Sequence, residues 1–323
     1  MLYSIGDNLT AIFSFPENQR EDDRIDTSIF TMSPHSTSQS TENIRSIAFE
    51  KGLGPPILFL FISSLWVVFV PLAIYPLFDN RFVLLAVMAG AFAVTAAIAW
   101  LVLRWEGLSA ADVGLSREHV LPGIGLVLLF WVIINVVGAL SAFVSTGDVR
   151  FGIPEQWDSF AFFLGIGIAQ LVFVGLAEEF AFRAYLQNKL IALLNGGRDR
   201  VRKGAAILLG VLLFTVWHVP QRVFIGGFTS PTAIVQSLIV VMVLGLALGL
   251  LYEYTRNVVF VAVLHGTFNW QPQAIVGAPT DLPFFAGLAV LLVVVWYYRR
   301  WAGETRPADF QPQIQATTAR WTR

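Results

Sequence analysis

Leu171-Val-Phe-Val-Gly-Leu-Ala-Glu-Glu-Phe-Ala-Phe-Arg183 places two adjacent carboxylates and an arginine inside an otherwise apolar run. A charge at the centre of a membrane helix costs roughly 2.5–3.5 kcal/mol on insertion scales. Such groups persist where they face a protein interior or a water-filled cavity. Two of the chain's four histidines, His218 and His265, fall in two later apolar segments. An acid pair and two imidazoles placed in this way read as a buried polar site within a membrane.

Composition agrees. The chain is 56% hydrophobic and 13% charged, with a mean hydropathy of +0.67, whereas soluble domains carry about 25% charged residues. The net charge of −1 gives no nucleic-acid footprint. With no cysteine, a disulfide, a thiolate metal site and a Cys nucleophile are all excluded.

Eight hydrophobic segments can be drawn: Ile57–Phe78, Phe82–Leu103, Val120–Val144, Phe160–Leu186, Ala205–Val219, Thr232–Tyr252, Val258–Trp270 and Leu282–Trp301. A span needs about 20 apolar residues. The fifth and seventh are short and hold the histidines, so the others are expected to shield them from lipid. The fourth is unusually long and is expected to tilt or project. The fold expected is an all-α membrane protein, a polytopic bundle of about eight transmembrane helices around a buried polar site. With the N-terminus inside, the outer loops keep only Arg81, Arg150 and Arg222 of the 21 Lys and Arg residues, and Arg183 lies within a span. That asymmetry predicts an integral protein of the cell membrane with both termini cytoplasmic.

Within the first cluster, Glu179 and Arg183 are four residues apart in the order that favours an ion pair on a helix. Glu178 then points about 100° away, an acid free to act as a base. In Phe214-Thr-Val-Trp-His218-Val-Pro220, Phe214 and His218 share a face, and Pro220 is expected to limit the helix. In His265-Gly-Thr-Phe-Asn269, His265 and Asn269 share a face. Each histidine taken alone reads as ordinary packing, and a Glu–Arg pair reads equally well as a structural lock between helices. Asn135, Gln170 and Gln236 are expected to be interhelical hydrogen-bonders, and Glu253 to be solvated near a membrane boundary. Gly245-Leu-Ala-Leu-Gly249 is expected to allow close helix packing within the chain.

These clusters, in this order, resemble the CAAX-protease and bacteriocin-processing family of intramembrane proteases, whose pattern is Glu-Glu-x-x-x-Arg, Phe-x-x-x-His and His-x-x-x-Asn/Asp. The resemblance covers roughly Val120–Tyr298. It implies an eight-helix membrane endopeptidase in which Glu178 and His218 activate water, while His265 and Asn269 stabilise the oxyanion. Glu179 and Arg183 would then hold the helix or orient substrate. The domain expectation is a disordered polar cytoplasmic tail over 1–50, two transmembrane helices and a linker over 51–119, the protease-like core over 120–301, and a cytoplasmic tail over 302–323. The partners expected are the lipid bilayer and a membrane-associated protein or peptide substrate, with no nucleic acid; nothing fixes the oligomeric state. The family is commonly labelled metalloprotease, and Glu178, His218 and His265 would supply a two-His, one-carboxylate zinc site. The His-Glu-x-x-His pair on one helix is absent, however, and metal-free water activation is slightly preferred. Two other functions use the same residues: a non-catalytic bacteriocin-immunity or scaffold membrane protein, and a proton-coupled transporter, against which the lack of an internal repeat argues.

Overall fold

Side-chain caps mark where the apolar runs become helices. The Asn80 carboxamide accepts from the Phe82 and Val83 amides at the start of one helix. Ser159, Asp199 and Asn257 do the same for three more, each worth about 1 kcal/mol. The structure, a computed structural model, describes residues 47–153, 159–276, 281–301 and 311–315. They lie in one unit, Ile44–Arg323. The tail expected over 1–50 falls outside the described residues as far as residue 46.

In chain order the elements are β1 (Ala48–Phe49), α1 (Gly54–Phe69), α2 (Arg81–Trp105), α3 (Val120–Thr146), β2 (Arg150–Phe151), α4 (Phe160–Leu193), α5 (Arg200–Trp217), α6 (Val219–Phe224), α7 (Pro231–Thr255), α8 (Val258–Trp270), β3 (Ile275–Val276), α9 (Asp281–Trp301) and β4 (Gln313–Ile314). Short 3₁₀ turns lie between α2 and α3. Among the described residues, six helical stretches are long and apolar enough to cross a membrane. The helices over Val258–Trp270 and Asp281–Tyr297 are apolar but shorter. Outward faces are apolar too: Leu121, Leu128, Leu140 and Val144 of α3 are all exposed, an arrangement suited to lipid and costly in water.

α8 is the central element. At 13 residues it is only about 20 Å long, and Val258, Phe260, Val261, Ala262 and Leu264 are all buried. It packs on α3 and α4, while α9 covers α3, α7 covers α5, and α2 lies between α1 and α4. The seventh segment is thus shielded as expected. The fifth is not short. Capped by Asp199, α5 starts at Arg200, because the basic first turn belongs to the helix although it is not apolar. Pro220 does not end the helical path either. It occupies the first turn of α6, where its missing N–H is not needed, and His218 alone joins α5 to α6.

α4 and α8 meet backbone to backbone. A Cβ on Gly175 would overlap the Ala262 carbonyl oxygen, and one on Gly266 would overlap the Gln170 carbonyl. Gly175→Ala is therefore expected to cost about 1–3 kcal/mol and to lower the melting temperature in detergent; an unchanged melting curve would contradict so close a crossing. α7 approaches in the same way, with Gly245 beside Phe214 and Gly249 beside Gln187.

α4 is not uniform. It is π-helical over Ala169–Val174 and Glu179–Gln187, on either side of one α-turn, Gly175–Glu178. Such wide turns re-aim side chains and occur often at functional sites. At its far end Lys189 is fully buried in an ion pair of 2.6 Å with the equally buried Glu106 just after α2. Tyr185 also donates to Glu106, and Lys189 donates to the Lys51 carbonyl.

Other residues settle as follows. Asn135 ties α3 to the segment after α8 through the Pro272 carbonyl and the Ala274 amide. Gln236, expected to bond between helices, is exposed instead. Glu253, expected to be solvated, is largely buried between Lys203 and Arg256. β1 and β4 pair in parallel, so residues 313–314, within a segment expected to be a tail, lie against the start of the bundle.

Candidate active site

The α-turn of α4 delivers Glu178, the junction of α5 and α6 delivers His218, and the middle of α8 delivers His265. These three come together. Glu178 Oε2 lies 3.5 Å from His218 Nε2 and 3.7 Å from His265 Nε2. Glu178 is 2% exposed and His218 5% exposed, which makes this a desolvated cluster.

The distal ring nitrogens are already committed. His218 Nδ1 donates to the Phe214 carbonyl, one turn back, at 2.8 Å. His265 Nδ1 donates to Glu179 Oε1 at 2.8 Å. A carbonyl or carboxylate oxygen only accepts, so in each ring Nδ1 carries a hydrogen and Nε2 is turned toward Glu178. With the rings neutral, three acceptors converge, and Glu178 Oε2 has no hydrogen-bond partner among the described residues. That geometry calls for a proton donor between them.

Glu179 and Arg183 stand behind this cluster. Glu179 Oε2 is 3.2 Å from Arg183 Nε, and the guanidinium stacks on the Phe214 ring at 4.3 Å. Phe214 also sits edge-on to His218, with centroids 4.4 Å apart. Glu179 thus fixes the orientation of His265, a carboxylate–histidine link that the sequence did not reveal because it joins residues 86 positions apart.

Glu178, His218, His265 and Asn269 all line one cavity of about 480 Å³. Asn269 lies at its exposed edge, where its amide donates to Gln170 Oε1 at 3.0 Å. Gln170 is therefore both the interhelical hydrogen-bonder expected and part of the cavity wall. Arg222 lines the cavity as well. Assigning it to an outer loop is incorrect: its amide bonds to the His218 carbonyl at 3.1 Å, so it sits one helical turn beyond the histidine. The i, i+4 spacing that paired Phe214 with His218 also marks Arg222, but the assumed stop at Pro220 hid it. A second, apolar cavity of about 350 Å³, walled by Trp66, Tyr75, Phe162 and Trp217, shares Met88, Phe92 and Gln221 with the first.

The donor chemistry of Glu178, His218 and His265 suits zinc, with two imidazole Nε2 atoms and a carboxylate free to ligate. No group of three His, Cys, Asp or Glu side chains is drawn together tightly enough to mark a metal site among the described residues, although Glu178 Oε2 stands 3.5 and 3.7 Å from the two ring nitrogens.

A family model described as type II CAAX prenyl endopeptidase Rce1-like matches residues 160–271. No curated protein and no solved structure matches the chain. The matched segment begins with α4 and ends one residue past α8, so it holds every residue of the cluster.

Proposed function

Residues 160–271 belong to the Rce1-like CAAX endopeptidase family, and from that premise we propose that this integral membrane protein hydrolyses a peptide bond in a membrane-associated protein or peptide. The observation that carries the reading is the convergence of Glu178 Oε2 with the Nε2 atoms of His218 and His265 in one cavity.

A water molecule placed among these acceptors donates one hydrogen to Glu178 and the other to His218, which aims an oxygen lone pair at a carbonyl entering the cavity. As the oxygen attacks, its proton passes to Glu178. The carbonyl oxygen gains negative charge, which the Asn269 amide meets; His265 joins it once its Nε2 has taken a proton from solvent before the attack, with Glu179 behind Nδ1. Collapse of the tetrahedral intermediate breaks the C–N bond, and Glu178 returns the proton to the leaving amine. Arg183 holds Glu179 in place.

This route needs no ion. If zinc is the resident metal, Glu178, His218 and His265 would hold it, and it would supply Lewis-acid polarisation and a more acidic water. Activity of the purified protein is expected to survive a strong chelator; loss with chelator and return with zinc would assign the metal to these three residues.

Quantitative membrane proteomics comparing wild type with Glu178→Ala tests the function itself. Wild-type cells are expected to contain new C-termini on membrane-associated proteins that the variant lacks. Identical termini in both strains would count against hydrolysis and favour a scaffold. Both termini are placed in the cytoplasm on the strength of the Lys/Arg asymmetry. Because the chain has no cysteine, single-cysteine labelling reads this directly: Arg150→Cys should react with an impermeant reagent from outside and Arg117→Cys should not. The reverse pattern would invert the topology.

A further inference from the structure

We propose that Gln170 is a positioning residue for the hydrolysis: its carboxamide oxygen holds the Asn269 amide so that one N–H faces the carbonyl oxygen of the bond being cut. This rests on the peptidase reading above and adds a residue that acts through the oxyanion donor. Asn269 is the least constrained member of the site. It is exposed and stands one residue before the end of α8, where helices fray. Its terminal torsion is broad and roughly two-fold, so a free carboxamide presents either its NH2 or its oxygen to the cavity. The first stabilises a developing negative charge and the second repels it.

Gln170 decides between the two. Asn269 Nδ2 donates to Gln170 Oε1 at 3.0 Å. An amide nitrogen carries two hydrogens, so one is tied to Gln170 and the other is left for a carbonyl entering the cavity that both residues line. The backbone around this bond is fixed by contacts on either side of Asn269. Before it, a Cβ on Gly266 would lie only 2.5 Å from the Gln170 carbonyl oxygen, so α4 presses on α8 next to His265. The same carbonyl accepts from the Gly175 amide, five residues on, which is the wide turn of the π-helical stretch. After it, the Trp270 indole donates to the Phe163 carbonyl at 2.9 Å, and its ring packs where a Cβ on Gly167 would stand. The end of α8 is thus fastened to α4, and Gln170 sets the one torsion that these contacts leave open. A peptide covering the pair would exclude water and strengthen the bond at the moment charge develops.

The test uses purified full-length protein in lipid nanodiscs and a peptide spanning a junction found by the terminal proteomics above. Asn269→Ala is expected to lower kcat about a hundredfold, as for removal of one oxyanion donor. Gln170→Leu, close in size but with no acceptor, should lower kcat about tenfold while KM stays within about twofold, because the lost interaction is made only in the transition state. Gln170→Ala, which only removes atoms, should show the same split and guards against a misfit of the leucine. In the Asn269→Ala background either Gln170 variant should cost no further rate, since the amide it orients is gone. A general loosening of α4 on α8 would instead give the same loss in both backgrounds, and that result overturns the proposal. Full turnover in both Gln170 variants, or a change in KM alone, overturns it too. These outcomes leave the peptidase standing, because wild type still cuts the peptide. A wild-type protein that cuts no such peptide removes the peptidase reading, and the role of Gln170 falls with it.

Discussion

Glu178→Gln is expected to lower turnover by about a thousandfold while leaving the protein folded. Loss of a positioned general base removes about 10²–10⁴ in rate, and in the proposed mechanism the same oxygen both orients the water and carries its proton. The substitution keeps shape and volume. It also removes a carboxylate from a buried place where its Oε2 has no partner and two ring nitrogens face it, so the melting temperature should hold or rise. Glu179→Gln separates the two acids. It spares the water but weakens the bond to His265 Nδ1 and the contact with Arg183, which predicts a smaller loss, about 10–100-fold, as for partners that orient a functional histidine. Turnover and melting curves of both variants check this. Equal losses, or a Glu178→Gln protein keeping a tenth of its activity, would contradict the division of labour.

Lys189→Ala should be the costliest change outside the site. Lys189 and Glu106 are both fully buried, 2.6 Å apart, and removing one member of such a pair costs about 3–5 kcal/mol because the other charge is stranded. Burial already pushes the Glu106 carboxyl above its ordinary range, and Lys189 pulls it back. Without the lysine the carboxyl protonates more readily in the folded state. A folded-state value raised in this way means that stability falls as pH rises through it, so the deficit of the variant should be smallest in acid and grow toward neutral pH. Replacing both partners, Glu106→Gln with Lys189→Met, should recover most of the loss. Melting curves across pH check both statements. A deficit independent of pH, or a double variant no better than the single, would show that the pair contributes through packing alone.

These two groups also show what the sequence could convey. Glu178, His218 and His265 stood out because a polar residue in an apolar run is costly at any depth, so its presence is a signal in itself. The i, i+4 rule then grouped Glu179 with Arg183 and His265 with Asn269. Contacts between distant positions left no such mark. Lys189 and Glu106 each follow an apolar run, where a charge is ordinary, and only the packing of α4 against α2 brings them together. Helix periodicity also assumes regular turns. Glu178 and Glu179 should diverge by 100°, yet in the partly π-helical α4 both flank His265, one on each ring nitrogen. Arg222 was hidden because a proline was taken as a stop, although the first turn of a new helix tolerates it. The two-residue strands β1 to β4 are too short for any alternation to show.

The most direct test of the central claim, that Glu178 and His218 act as a unit on one water, is a double-variant cycle on a substrate found by terminal proteomics. If they share the water, Glu178→Gln and His218→Ala combined should be no slower than the slower single variant, since either one removes the same step. Losses that multiply in the double variant would mean that the two residues act independently, and the shared water pocket would be wrong.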